Sequence, residues 1–77
     1  MTRGDYRVGI GFNSSGDAHV DEVKRCAAAL IDAIGVIDPG RAPRAWGEIN
    51  RLKALAMTAA EEAAMWGVKA ATKPEPE

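Results

Sequence analysis

Apolar residues recur at three- and four-residue spacing through two long stretches of the chain, and at period two through a third, shorter one. In the first stretch Val20, Val23, Ala27, Leu30, Ile31 and Ile34 mark one face of a helix. Asp21 and Glu22 stand in its early turns, where the helix dipole favours acids, and either Ser15 or Asp17 can cap its free amides. The spacing predicts a first helix over about 18–37, ended by Asp38-Pro39-Gly40, because Pro39 cannot continue a helix and Gly40 can turn it. A second helix is predicted over about 42–71, with Pro43 suited to a first helical position. Within it Ile49, Leu52, Ala56, Ala59, Ala63, Trp66 and Ala70 alternate spacings of three and four without a break, the pattern of a coiled-coil seam. Most of these side chains are alanine, so the seam allows close approach but buries little area. Leu55, Met57, Ala60, Ala64, Met65 and Val68 lie off the seam and are apolar too. One hairpin partner cannot cover every face of such a helix.

Ahead of the first helix, Val8, Ile10 and Phe12 alternate with Gly9 and Gly11. The alternation predicts a short extended stretch, and the glycines would let a partner chain or a ligand approach the backbone closely. Residues 13–17 read as a turn, and residues 73–77 as a disordered acidic tail. The fold expected is all-α: an antiparallel two-helix hairpin, residues 1–72, with a short extended N-terminal segment.

Composition adds a constraint. The chain has 77 residues, enough for one domain, and much of its 47% hydrophobic content is alanine. At ~70–80 residues a lone core rarely contributes more than about 3–5 kcal/mol without a staple. Cys26 and His19 are single, so neither an intramolecular disulfide nor a cysteine-built metal site can supply one. Self-association is the remaining source of burial, and a compact homo-oligomer is expected. The first residues carry no signal-like apolar run, and no stretch approaches the ~20 apolar residues of a membrane span. A cytoplasmic protein with a reduced thiol and no membrane partner is the expectation. The net charge of −1 argues against binding DNA or RNA polymers. Locally, Arg41, Arg44, Arg51 and Lys53 against Glu48 leave residues 41–53 cationic.

Little in the chain suggests catalysis. Glu61 and Glu62 are adjacent, so their side chains diverge by ~100° around a helix, and a salt-bridge role suits them better than acid–base work. Thr58 and Glu62 share a face, as a polar contact across an interface would require. His19 belongs to the first helical turn, and Cys26 reads as a small buried apolar residue rather than a nucleophile. Gly9-Ile10-Gly11 lacks the third glycine of a dinucleotide fingerprint, and there is no Walker lysine motif. Phe12 has two readings that residues alone leave open: an apolar plug over a helix pair, or a base-stacking aromatic with Lys24 and Arg25 near enough to meet phosphate. Trp46 and Trp66 are core or interface anchors, and Lys69 sits where the helix dipole favours a cation. The expectation is a protein without enzymatic activity and without a cofactor.

Three blocks carry a resemblance: Val8-Gly9-Ile10-Gly11-Phe12-Asn13, then Val20-Asp21-Glu22-Val23-Lys24-Arg25 through Leu30-Ile31-Asp32, and above all Ala54-Leu55-Ala56-Met57-Thr58 with Glu61-Glu62-Ala63-Ala64-Met65-Trp66-Gly67-Val68-Lys69-Ala70-Ala71-Thr72. Their order resembles the helical-hairpin nucleotide sponges with which phages counter the CBASS and Thoeris immune systems. The resemblance implies compact hexamers that bind cyclic di- and trinucleotide messengers between protomers, in the infected host's cytoplasm, without cleaving them. It implies that Phe12 stacks on a base, with Gly11 and Asn13 beside it, and that Lys24 or Arg25 meets phosphate. A second kind of site, at the C-terminal part of the long helix, would use Lys69 and Thr58. Two departures matter. Phe12 lacks the hydroxyl of the tyrosine that some relatives place there, and the extra domain of the anti-Thoeris relatives has no counterpart, which turns the expectation away from cyclic ADP-ribose ligands. The implied function is sequestration that blocks CBASS effectors; the alternative is a structural or adaptor oligomer that binds another protein.

Overall fold

The computed structural model describes residues 1–76 and contains α1 (Arg3–Val8), α2 (Ala18–Gly35) and α3 (Trp46–Ala71), with two 3-10 turns, Pro39–Arg41 and Pro43–Ala45, joining the last two. α2 and α3 form the antiparallel hairpin. Both begin or end a little inside the expected bounds, because Pro39 and Pro43 each open a 3-10 turn rather than a turn of α-helix. Residues 73–76 follow α3 without regular structure, and Glu77 lies outside the described residues.

The N-terminal segment corrects the expectation. Residues 3–8 are helical, and no strand occurs among the described residues. Thr2 and Asp5 form a reciprocal capping box: the Thr2 hydroxyl accepts from Asp5 N at 3.0 Å, and Asp5 Oδ2 accepts from Thr2 N at 3.1 Å. Gly9, at φ +65°, closes the helix in the left-handed conformation, its N–H and that of Ile10 returning to the carbonyls of Tyr6 and Asp5. Six residues make a marginal helix, and tertiary contact holds it. Gly4 is buried against α2 so closely that a Cβ there would lie 2.1 Å from the Ala28 carbonyl oxygen. Its N–H donates to Asp32 Oδ1 at 2.7 Å.

Asp17, not Ser15, caps α2, its Oδ1 accepting from His19 N at 2.7 Å. Val20, Lys24, Ala28 and Ile31 are the buried stripe of α2, and Met57, Ala60 and Ala64 that of α3. Ile31, Met57 and Ala60 form the centre, with Val8 and Ile34 packed against it. The seam Leu52, Ala56, Ala59, Ala63, Trp66 and Ala70 is exposed, with only Ile49 half-buried. Two apolar stripes of the same period run along α3, and the hairpin uses the one offset by a single residue. Cys26 is exposed, contrary to the expectation that it is buried, because it lies two positions off the Lys24–Ala28 stripe.

Two lysines fasten the helix ends. Lys24, 7% exposed, donates to the Gly9 carbonyl at 3.0 Å and to that of Phe12, tying the α1–α2 connection to α2. Lys53 of α3 donates to the carbonyls of Gly35 and Ile37 at 3.1 and 2.6 Å, satisfying the C-terminus of α2. No described helix is long and apolar enough to cross a membrane.

Two glycines make unequal demands. Gly4→Ala should cost about 1–3 kcal/mol or more in urea unfolding, because main chain must move to admit the methyl. Gly67→Ala gains about 1 kcal/mol of helix propensity but brings its methyl to 2.9 Å from the stiff Val23 side chain, which must shift, so a loss smaller than that at Gly4 is expected. Lys24→Met should cost about 1.5–3 kcal/mol in the same assay, the loss of charge-assisted bonds to the Gly9 and Phe12 carbonyls.

Candidate functional site

α1 crosses α2 at Gly4 and brings Arg7 and Val8 beside α3. A groove of about 500 Å³ opens there, walled by Arg7, Thr58, Glu61 and Glu62, with Val8, Met65 and Val68 as its apolar lining and Lys24 at its inner edge. A smaller hollow of about 200 Å³ adjoins it, formed by Phe12, Asn13, Ser14, Val20 and Thr72. Lys24 and Val68 belong to both.

The aromatic is presented rather than packed away. Phe12 is 73% exposed, and the Lys24 ammonium lies 5.4 Å from its ring centroid. The apolar-plug reading therefore fails within the single chain. The segment that carries the ring is well tied. Phe12 N donates to the Gly9 carbonyl at 2.9 Å, and Lys24 holds the carbonyls of both residues. Asn13 Nδ2 donates to the Asp17 carbonyl at 2.8 Å and to Asp21 Oδ1 at 3.0 Å, while its own oxygen accepts from Ser15 Oγ. Asn13 thus builds the turn. Gly11 has open space where a Cβ would stand, so no close approach within the chain requires glycine there.

Lys24 and Arg25 separate clearly. One residue is a turn of ~100° on a helix, and only Lys24 lines the groove and the hollow. Arg25 pairs with Glu22, Nη2 to Oε1 at 2.5 Å. The hydrogen bond from Arg25, then one from the Cys26 thiol and the guanidinium charge, hold the Glu22 carboxyl below the usual carboxylate range. Lys24 is engaged too, since its ammonium is already held by two carbonyls.

On α3, Thr58 lines the groove and Lys69 does not. The two stand eleven positions apart, about 16 Å along the helix, and the Lys69 ammonium rests 5.5 Å from the Trp66 ring centroid. Glu61 has the salt-bridge role expected of it: its Oε2 accepts from Arg7 Nη2 at 2.7 Å and Nε at 3.1 Å. Thr58 and Glu62 share the groove wall, as their spacing requires. Arg7 was not among the residues expected at a site. Its signal was present: Thr2-x-x-Asp5 is a capping pattern and Gly9 a helix stop, which together place Arg7 on a helix rather than on an extended strand.

Chemically, the arrangement offers an exposed aromatic face, an arginine fork and hydroxyl and carboxylate acceptors around an apolar lining. A planar base can stack on such an aromatic, and an anionic group can meet the guanidinium. Comparison with known proteins places the chain. No curated protein and no solved structure matches it. The model of the family described as Acb2/Tad1, hairpin domain, matches residues 5–72, a span that takes in α2, α3, the Phe12 segment and most of α1. The chain belongs to the Acb2/Tad1 hairpin family of anti-CBASS and anti-Thoeris nucleotide sponges.

Proposed function

We propose that this protein binds cyclic oligonucleotide immune messengers, holds them without cleavage, and so keeps CBASS effectors silent. The observation that carries the reading is the pairing of family membership over residues 5–72 with a mostly exposed Phe12 fixed beside two cation-bearing hollows. Sequestration needs affinity and copy number but no turnover. A stacking ring held on a tied loop suits that task, because little order is lost when a base arrives.

The proposed working form is a homohexamer. The α3 seam from Leu52 to Ala70 stays uncovered by the hairpin, and Trp46, Leu52, Leu55, Met65 and Trp66 are each more than half exposed. Further copies of the chain would cover these side chains. Symmetric copies would also present their cations in pairs, which matches the two negative charges of a cyclic dinucleotide while leaving the net charge near zero. The Lys69 and Thr58 positions are retained as candidates for a trinucleotide site between copies.

Native mass spectrometry with a panel of cyclic di- and trinucleotides tests this directly. A hexamer that takes up whole ligands, released unaltered on denaturation, is the expected result. Linear products or new phosphate would show turnover and overturn it. An assembly that takes up nothing would favour the adaptor reading.

Phe12→Ala should weaken dinucleotide binding by about 1–3 kcal/mol, the usual worth of a base–aromatic stack, with the assembly mass unchanged. Ala63→Glu places a charge on the uncovered seam. It should shift the assembly toward smaller species while far-ultraviolet circular dichroism stays helical.

A further inference from the structure

The cations facing the groove are not equally available to a ligand. Lys24 has its ammonium on the carbonyls of Gly9 and Phe12 and against the Phe12 ring, so at most one N–H remains. Arg25 pairs with Glu22, and Arg51 with Glu48, on surfaces outside the groove. Arg7 differs. Its Nε and Nη2 both donate to one oxygen, Glu61 Oε2, and Nη2 also lies 3.5 Å from Thr58 Oγ1. Nη1 has no hydrogen-bond partner among the described residues. One edge of the guanidinium is thus clamped and the other is open. A clamped fork with an open edge is a good anion receptor, since its orientation is fixed before the anion arrives, Nη1 is free to donate, and only the long Thr58 contact stands in the way of the second Nη2 N–H.

We propose that Arg7 is the anion-contacting residue of this groove: its open edge meets a phosphodiester of the bound cyclic nucleotide, while Glu61 orients the guanidinium. The assignment rests on the reading under Proposed function and goes beyond it. In this arrangement Lys24 is a positioning residue that presents Phe12, and the phosphate is met by a side chain from α1. Glu61 offsets the Arg7 charge, and Glu62 stands against that of Lys24, so the groove's own charges balance. The side chains of Arg7 and Glu61 are 25% and 45% exposed, so water screens the pair and its own contribution to folding is small.

Isothermal titration of cyclic GMP–AMP and of cyclic di-AMP into the wild-type protein, Arg7→Met, Arg7→Lys and Glu61→Gln, over a series of salt concentrations, tests the assignment. Arg7→Met should weaken binding by about ten- to a hundredfold and flatten its salt dependence, because a charged contact to the ligand is gone. Arg7→Lys should keep most of the salt dependence but recover only part of the affinity. Glu61→Gln retains an acceptor for Arg7 and removes a repelling carboxylate, so affinity should hold or rise. It keeps the test open should Arg7→Met unfold. Wild-type salt dependence in Arg7→Met would overturn the assignment, as would a tenfold loss in Glu61→Gln, which would mark the pair as a structural clasp alone. If the wild-type protein binds either probe and Phe12→Ala weakens it while Arg7→Met does not, only the role of Arg7 fails. If the wild-type protein binds neither, the role of Arg7 and the messenger-binding reading fall together.

Discussion

A layer of helices this thin has little inside. The chain measures 55 × 26 × 12 Å, and its smallest dimension is about the diameter of a single α-helix with its side chains. In such a layer a side chain can be buried only where two helices meet edge to edge. The buried apolar set is accordingly short, Val20, Ala28, Ile31, Met57, Ala60 and Ala64, and half of it is alanine. The geometry that follows is close contact between main chains rather than interdigitation of large side chains. It is tightest where Gly4 meets the Ala28 main chain, and Gly67 likewise lets the Val23 side chain close on the α3 backbone.

With so little apolar burial, polar contacts at the helix ends take on work that a larger core would do. The capping box at Thr2 and Asp5, the Gly4–Asp32 bond and Lys53 satisfy main-chain groups that a helix end leaves unpaired, and Lys24 ties down the connection between α1 and α2. They also decide where the side chains of the candidate site stand. Docking of α1 at Gly4 carries Arg7 to Glu61, and the grip of Lys24 on the Gly9–Phe12 segment holds the aromatic in the open. The groove is therefore a product of the same contacts that hold the layer together.

The hairpin was legible in the sequence because long helices announce themselves through period and punctuation. Val20 to Ile34 and Ile49 to Ala70 repeat often enough to outweigh local noise, and Pro39, Gly40 and Pro43 mark the join. Which stripe of α3 meets α2 was not legible. Met57-Ala60-Ala64 and Ala56-Ala59-Ala63 have the same period and similar size, and only the partner's shape separates them. α1 was masked for a different reason, although its cap at Thr2 and Asp5 and its stop at Gly9 stand in the sequence. A six-residue segment with an internal glycine has weak intrinsic helicity, and it is held by contacts with residues some twenty-five positions away. The burial of Lys24 was not legible either. Its position on the Val20–Ala28–Ile31 stripe was visible, yet a lysine there reads as a solvent cation until the carbonyls it serves are known.

The division between Gly4 and Phe12 bears on how such a protein can change over generations. At position 4 any side chain collides with main chain, so drift there is closed off by the scaffold itself. At position 12 the side chain touches little of its own fold beyond the lysine that props it. Selection on what the ring meets can exchange one aromatic for another without disturbing the hairpin.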